Sequence, residues 1–175
     1  QTCFFAKIPR KHFLQTFDIL ADIVFFPNLD KKDLEKERTV ILEEIKMYQD
    51  LPQFRVVELL DGLLWPDHPL GKNLAGTPES VGAISVADLR AFHQKHYVPE
   101  NVVVSVCGHV NHKDAAGLVS RKLASIHGKR DGQFIPAQMD QHRPQAVFFR
   151  KQTEQMHVAL GAHGLETNHR DLYVL

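Results

Sequence analysis

The feature that most limits how this chain can fold is the period of residues 34–48. Advancing about 100° per residue from Leu34, the side chains of Leu34, Val40, Ile41, Leu42, Ile45, Met47 and Tyr48 gather in one broad apolar arc. Glu35, Lys36, Thr39, Glu43, Lys46 and Asp50 take the other side. Such a stretch is an amphipathic helix, and its apolar arc needs a second layer to cover it. Glu37 and Glu44 fall inside that arc. Turning an unpaired carboxylate toward a core costs roughly several kcal/mol or more, so the run "ERTVILEEIKMY" asks what the two glutamates are for. They stand two helical turns apart, about 10 Å along the axis, at almost the same azimuth. That spacing is too long for both to bind one metal ion directly. It suits one as ligand and the other as an outer partner that orients a ligand or water. The plainer alternative pairs both with nearby Lys or Arg, with Arg38 on the rim of the arc as a candidate.

Around this helix the chain alternates helical and strand-like runs. Residues 2–9, "TCFFAKIP", read as a strand, and apolar positions at Phe13, Phe17, Ile19, Leu20, Ile23 and Val24 predict a helix within 10–26. Pro27-Asn28 ends it, and Asp30 or Asp33 caps the helix that runs to about Asp50. Leu51-Pro52 breaks the chain before another helix, "QFRVVELLDGLLW". Three prolines and two glycines then make "PDHPLGKNLAGTPESV" a loop, with Thr77-Pro78 as cap and first helical residue. Ser85 opens a helix to about Tyr97, "NVVVSVCG" reads as a buried strand, and residues 111–126 are helical by period. "GKRDGQ", followed by Pro136 and Pro144, has linker composition. "QAVFFRK" and "QMHVALGAHG" read as strands, and "HRDLYVL" as the opening of a new helix. Mixed elements without a regular βαβ alternation predict an α+β architecture, helices packed on a mainly antiparallel sheet.

Charge and cysteine usage remove several function classes. Lys+Arg and Asp+Glu both number 21, so no overall basic field draws in nucleic acid or an anionic membrane. Cys3 and Cys107 form no C-x-x-C pair, which argues against a disulfide framework or a thiolate zinc site; they read as small buried hydrophobes. No apolar run reaches the roughly 18 residues of a spanning helix. The expectation is a soluble, intracellular chain, placed in the cytoplasm, and a segment of a longer protein.

Of the 11 histidines, two pairs stand three residues apart, His93 with His96 and His109 with His112. Neither pair has a carboxylate in an H-E-x-x-H or H-x-x-E-H frame, so solvated or helix-end roles outweigh ligation. No G-x-S-x-G elbow, Walker loop or G-x-G-x-x-G turn occurs. Composition and period alone take the function no further.

Three runs in series carry the argument on: "LEKERTVILEEIKMYQDLP", "DHPLGKNLAGTPESV" and "YVPENVVVSVCGHV". In this order and spacing the chain resembles the pitrilysin/insulinase family of zinc metallopeptidases, most closely bacterial processing-protease-like members related to the mitochondrial processing peptidase. The resemblance implies that residues 1–127 are the later part of a zinc-binding domain, 128–144 a linker, and 145–175 the start of a homologous second domain without a metal site. It implies Glu44 as the third ligand of a Zn2+ ion and Glu37 as the assisting carboxylate that acts in catalysis. The other two ligands in the family are the histidines of an H-x-x-E-H helix, which this chain does not contain and which the resemblance puts ahead of Gln1. The implied activity is endopeptidase cleavage of short or unfolded peptides by a zinc-activated water, the substrate entering as an added β-strand between two homologous halves. A homodimer or a homologous partner subunit follows from the same likeness, and the 175 residues alone are expected to be inactive. Two alternatives stand beside this reading: a non-catalytic subunit or scaffold of the same fold, and a plain interaction domain whose glutamates only make salt bridges.

Overall fold

Local capping chemistry decides where the helices begin. The structure is a computed structural model and describes residues 2–130, 132, 135–137, 142–152 and 154–174. A 3-10 turn, Arg10–His12, leads into α1, Phe13–Phe25. Helix α2, Lys31–Asp50, is capped by Asp30, whose Oδ1 accepts the Asp33 N–H at 2.9 Å. Helix α3, Pro52–Leu64, starts on a proline, which lacks only an N–H that no helical carbonyl needs. Helix α4, Pro78–Ala83, has Thr77 as its cap, the hydroxyl accepting the Ser80 N–H at 3.2 Å. At α5, Val86–His96, Ser85 and Asp88 form a reciprocal capping box: the Asp88 N–H donates to Ser85 Oγ and the Ser85 N–H to Asp88 Oδ2. Asn111 caps α6, His112–Lys122, by accepting the Lys113 N–H at 2.9 Å. These helices fall where their period and caps predict. The run 169–175 departs from expectation: it holds one 3-10 turn, Leu172–Val174, and Leu175 lies outside the described residues.

No sheet forms among the described residues. Among the described residues every regular element is helical, so the α+β architecture with a mainly antiparallel sheet is overturned. Residues 2–9, 101–108, 145–151 and 155–164 carry no strand in their described parts. The Pro99–Asn101 3-10 turn takes the first residue of the "NVVVSVCG" run. The physical reason lies in what β-propensity measures. Branched and aromatic side chains favour extended backbone, and Val102 is indeed extended at φ −112°, ψ 130°. A strand, however, exists only when its N–H and C=O groups meet those of a neighbour, and the backbone bonds outside the helices are turn and cap bonds of short sequence separation. Val103, in the run read as buried, is 92% exposed, and Phe148 and Leu160, in the two later runs, are 93% exposed each. Cys3 and Cys107 are likewise exposed, against the expectation that they are buried.

The chain divides into two compact units, Gln1–Leu34 with Ile84–Gln133, and Glu35–Ala83 with Phe134–Leu175. Of the expected linker 128–144, residues 131, 133, 134 and 138–141 lie outside the described residues. In the first unit Val98 and Leu118 are buried. His93 Nε2 donates to the Val24 carbonyl at 2.7 Å, tying α5 to α1, and Lys122 pairs with Asp18. In the second unit Ile45 and Val81 are buried, Tyr48 meets Phe54 edge-on at 5.3 Å, and the Trp65 and His163 rings meet edge-on at 5.6 Å. Gly71 lets the loop after α3 fold back on it, because a Cβ there would sit against the Trp65 carbonyl. None of the described helices is long and apolar enough to cross a membrane.

Candidate functional site

Helix α2 carries the two glutamates, and its packing decides which way they point. Arg38, Ile41, Leu42 and Ile45 form the covered stripe at helical spacing: Ile45 is 1% exposed and the other three are half-buried. Arg38 occupies this stripe by burying its aliphatic stem while its Nε donates to the Val81 carbonyl at 3.2 Å, joining α2 to α4. The broad arc read from the sequence therefore splits in two. Its other part, with Val40, Met47 and Tyr48, is about half exposed, and Glu37 and Glu44 are exposed beside it. The expectation that they face the core is corrected: they flank the buried stripe on a partly apolar, open face.

The outward glutamates behave differently from this pair. Glu35 pairs with Arg38 at 2.6 Å and Glu43 with Lys46 at 2.7 Å, each three residues along the helix. Among the described residues, Glu37 and Glu44 make no hydrogen bond or ion pair. Arg38, the candidate partner for them, is engaged by Glu35 and by Val81. The end of the same helix is held by Lys151, which donates to Asp50 Oδ1 at 2.6 Å and to the Gln49 carbonyl at 3.4 Å. The two carboxylates thus sit about 10 Å apart on a helix fixed at its middle and its end, with their oxygens uncommitted.

Zinc takes four donors, or three and a water. Among the described residues no three His, Cys, Asp or Glu side chains gather to hold a metal ion. By themselves these residues do not fit a zinc ion, because they bring together no complete set of donors. The histidines do not complete it. His93 donates through Nε2 to Val24 and stacks on Tyr97 at 4.4 Å, while His96 lies against Phe92 at 4.4 Å. His68, which the sequence reading did not single out, uses both ring nitrogens: Nδ1 accepts the Leu70 N–H and Nε2 donates to the Ile135 carbonyl, each at 3.2 Å. His109 and His112 are exposed. The carboxyls held below their ordinary range are Asp88, through the Ser85 hydroxyl and N–H, and Glu79, first through the Thr77 side chain. Both serve helix caps.

Comparison with known proteins supplies what this geometry leaves open. The family model described as Insulinase (Peptidase family M16) matches residues 1–78, and the one described as Peptidase M16 inactive domain matches residues 83–175. A Bacillus subtilis protein named as the uncharacterized zinc protease YmxG is 33% identical over 174 residues, 99% of this chain and 42% of its own length. An uncharacterized zinc protease of Mycobacterium leprae is 34% identical over 177 residues, 97% of this chain and 39% of its own. The chain therefore spans about two fifths of these relatives. A crystal structure of a peptidase M16 inactive domain from Pseudomonas fluorescens covers 74% of this chain, and 31% of its own, at TM-score 0.66 and 23% identity, a likeness of fold. The two family models together run through almost the whole sequence, and the chain belongs to the insulinase family, peptidase family M16.

Proposed function

We propose that this chain supplies one wall of the catalytic centre of a zinc-dependent endopeptidase, with Glu44 as a metal ligand and Glu37 as the carboxylate assisting it. The observation that carries this reading is the contrast along α2. Glu35 and Glu43 are ion-paired, whereas Glu37 and Glu44, on one open face, have no partner among the described residues. Family membership and the zinc-protease names of the relatives support it. The remaining donors then come from outside these 175 residues, in keeping with the share of the relatives that the chain spans.

In such a centre the metal supplies a Lewis acid and a water acidified toward a pKa of about 7. The work of this chain is positional. Burial of Ile45 and the Arg38–Val81 bond fix the rotation of α2, so that Glu44 leaves the helix on its open flank and Glu37, two turns before it on the same flank, is placed to orient a ligand or a water. Residues 1–127 belong to the metal-binding domain in this reading, 128–144 link, and 145–175 open its homologue. Short or unfolded peptides are the substrates, and the working assembly is a homodimer or a pairing with a homologous subunit. A second reading, a non-catalytic subunit, draws on the match of residues 83–175 to the inactive-domain model.

Zinc content and peptide cleavage of the full-length protein test both. Glu44→Gln is expected to lose zinc and activity, Glu37→Gln to keep most of the zinc but lose activity, and Glu43→Gln to keep both. Full zinc occupancy in Glu44→Gln would reject Glu44 as a ligand. Wild-type protein that takes up no zinc would select the non-catalytic reading.

A further inference from the structure

A second feature lies in the first unit. The Arg10–His12 turn, the start of α1 and helix α6 border an open cleft of about 490 Å3, the size of a small-molecule site. Four cations line it, Arg10, Lys11, Lys113 and Arg121, against the lone carboxylate of Asp114. Among the described residues none of the four makes an ion pair or a side-chain hydrogen bond. Elsewhere, Arg38, Lys46, Arg55, Lys122 and Lys151 are each paired with a carboxylate. The chain as a whole is neutral, so this is a local concentration of positive charge and not a share of a general excess.

Like charges brought together in a concave site repel one another and focus their field on whatever enters. The cations come from two stretches of chain, Arg10 and Lys11 from the 3-10 turn and Lys113 and Arg121 from α6, so a compact anion can meet groups from both. Two are guanidinium groups, whose planar forks match phosphate oxygens, and two are ammonium groups that act as point charges on the same ligand. The floor is apolar: Phe13 is half-buried and Leu118 is 8% exposed, and both line the cleft. An inorganic anion leaves that floor unused, while an organic group on the phosphate covers it. We propose that this cleft binds a small organic di- or triphosphate, the phosphates on the four cations and the organic body against Phe13 and Leu118.

The test uses the full-length protein with a chelator present, so that metal chemistry elsewhere plays no part. Titration calorimetry with inorganic pyrophosphate, inorganic tripolyphosphate and an alkyl diphosphate is expected to show binding that weakens steeply with salt. The alkyl diphosphate should bind at least threefold more tightly than pyrophosphate. Lys113→Gln/Arg121→Gln, and separately Arg10→Gln/Lys11→Gln, should each weaken tripolyphosphate binding at least tenfold. Lys31→Gln/Lys32→Gln, which removes the same charge at the start of α2 outside the cleft, should leave it unchanged. Equal weakening in that control pair would reduce the effect to diffuse attraction and overturn the site. Equal affinity for alkyl diphosphate and pyrophosphate would overturn the organic ligand. A triglutamate peptide binding as tightly as tripolyphosphate would overturn phosphate selectivity in favour of an acidic polypeptide.

Discussion

Ile45 is the side chain on which the orientation of α2, and so of Glu44 beside it, depends. It is 1% exposed, the most deeply buried of the large side chains among the described residues. Ile45→Ala removes three carbons from that environment. At about 0.8 kcal/mol per buried methylene this amounts to roughly 2.4 kcal/mol of lost transfer free energy. A cavity that relaxes only in part raises the cost to about 3–4 kcal/mol. For a chain of this size each kcal/mol lowers the melting temperature by about 2–4 °C, so a fall of roughly 6–16 °C is expected. Val40→Ala is the matched control on the same helix. Val40 is 50% exposed, so its two lost carbons cost less than about 1 kcal/mol. Urea titration of the two variants, with m-values compared to the parent, measures both costs. If Ile45→Ala costs no more than Val40→Ala, α2 is rotated differently, and the placement of Glu37 and Glu44 on its open flank fails with it.

Other consequences can be checked independently. Asp88 has its carboxyl held below the ordinary range, so its share of the α5 cap is complete above about pH 4 and is lost as pH falls through the depressed value; an NMR titration of Asp88 with a midpoint at or above the ordinary carboxylate value would refute this, and Ser85→Ala should raise the midpoint. Gly71→Ala places a methyl against the Trp65 carbonyl and should destabilise the second unit by about 1–3 kcal/mol, read as a lower urea midpoint; an unchanged midpoint would mean the loop is free to move away. Glu43→Gln breaks an ion pair whose two side chains are each 66% exposed, so it should change stability by less than about 1 kcal/mol; a larger loss in the same titration would show that the pair does more than solvate the helix.

The helices were legible because their signals are local. Asp30, Thr77, Ser85 and Asn111 each accept an N–H within three residues of themselves, and a reading of short windows captures such bonds completely. The strands were not, because a ladder needs a second segment whose position no window contains. "NVVVSVCG" and "QAVFFRK" have the composition of strands and find no pairing neighbour among the described residues, so side chains such as Val103 and Phe148 stand exposed.

The same distinction between local and non-local causes explains what was missed at the site. A helical period gives each side chain an azimuth but not the identity of the layer that covers it. Apolar content alone drew the arc of α2 wide enough to include Glu37 and Glu44 as buried groups. The covered stripe instead runs through Arg38, a residue that composition assigns to solvent, because the Val81 carbonyl of α4 accepts its Nε–H. With Arg38 taken by Val81 and Glu35, the ion pair that most simply explained the two glutamates is no longer available to them. An exposed carboxylate without a partner costs the fold nothing, so stability does not set the spacing of Glu37 and Glu44 along one open face, and zinc uptake by Glu44→Gln decides whether a metal does.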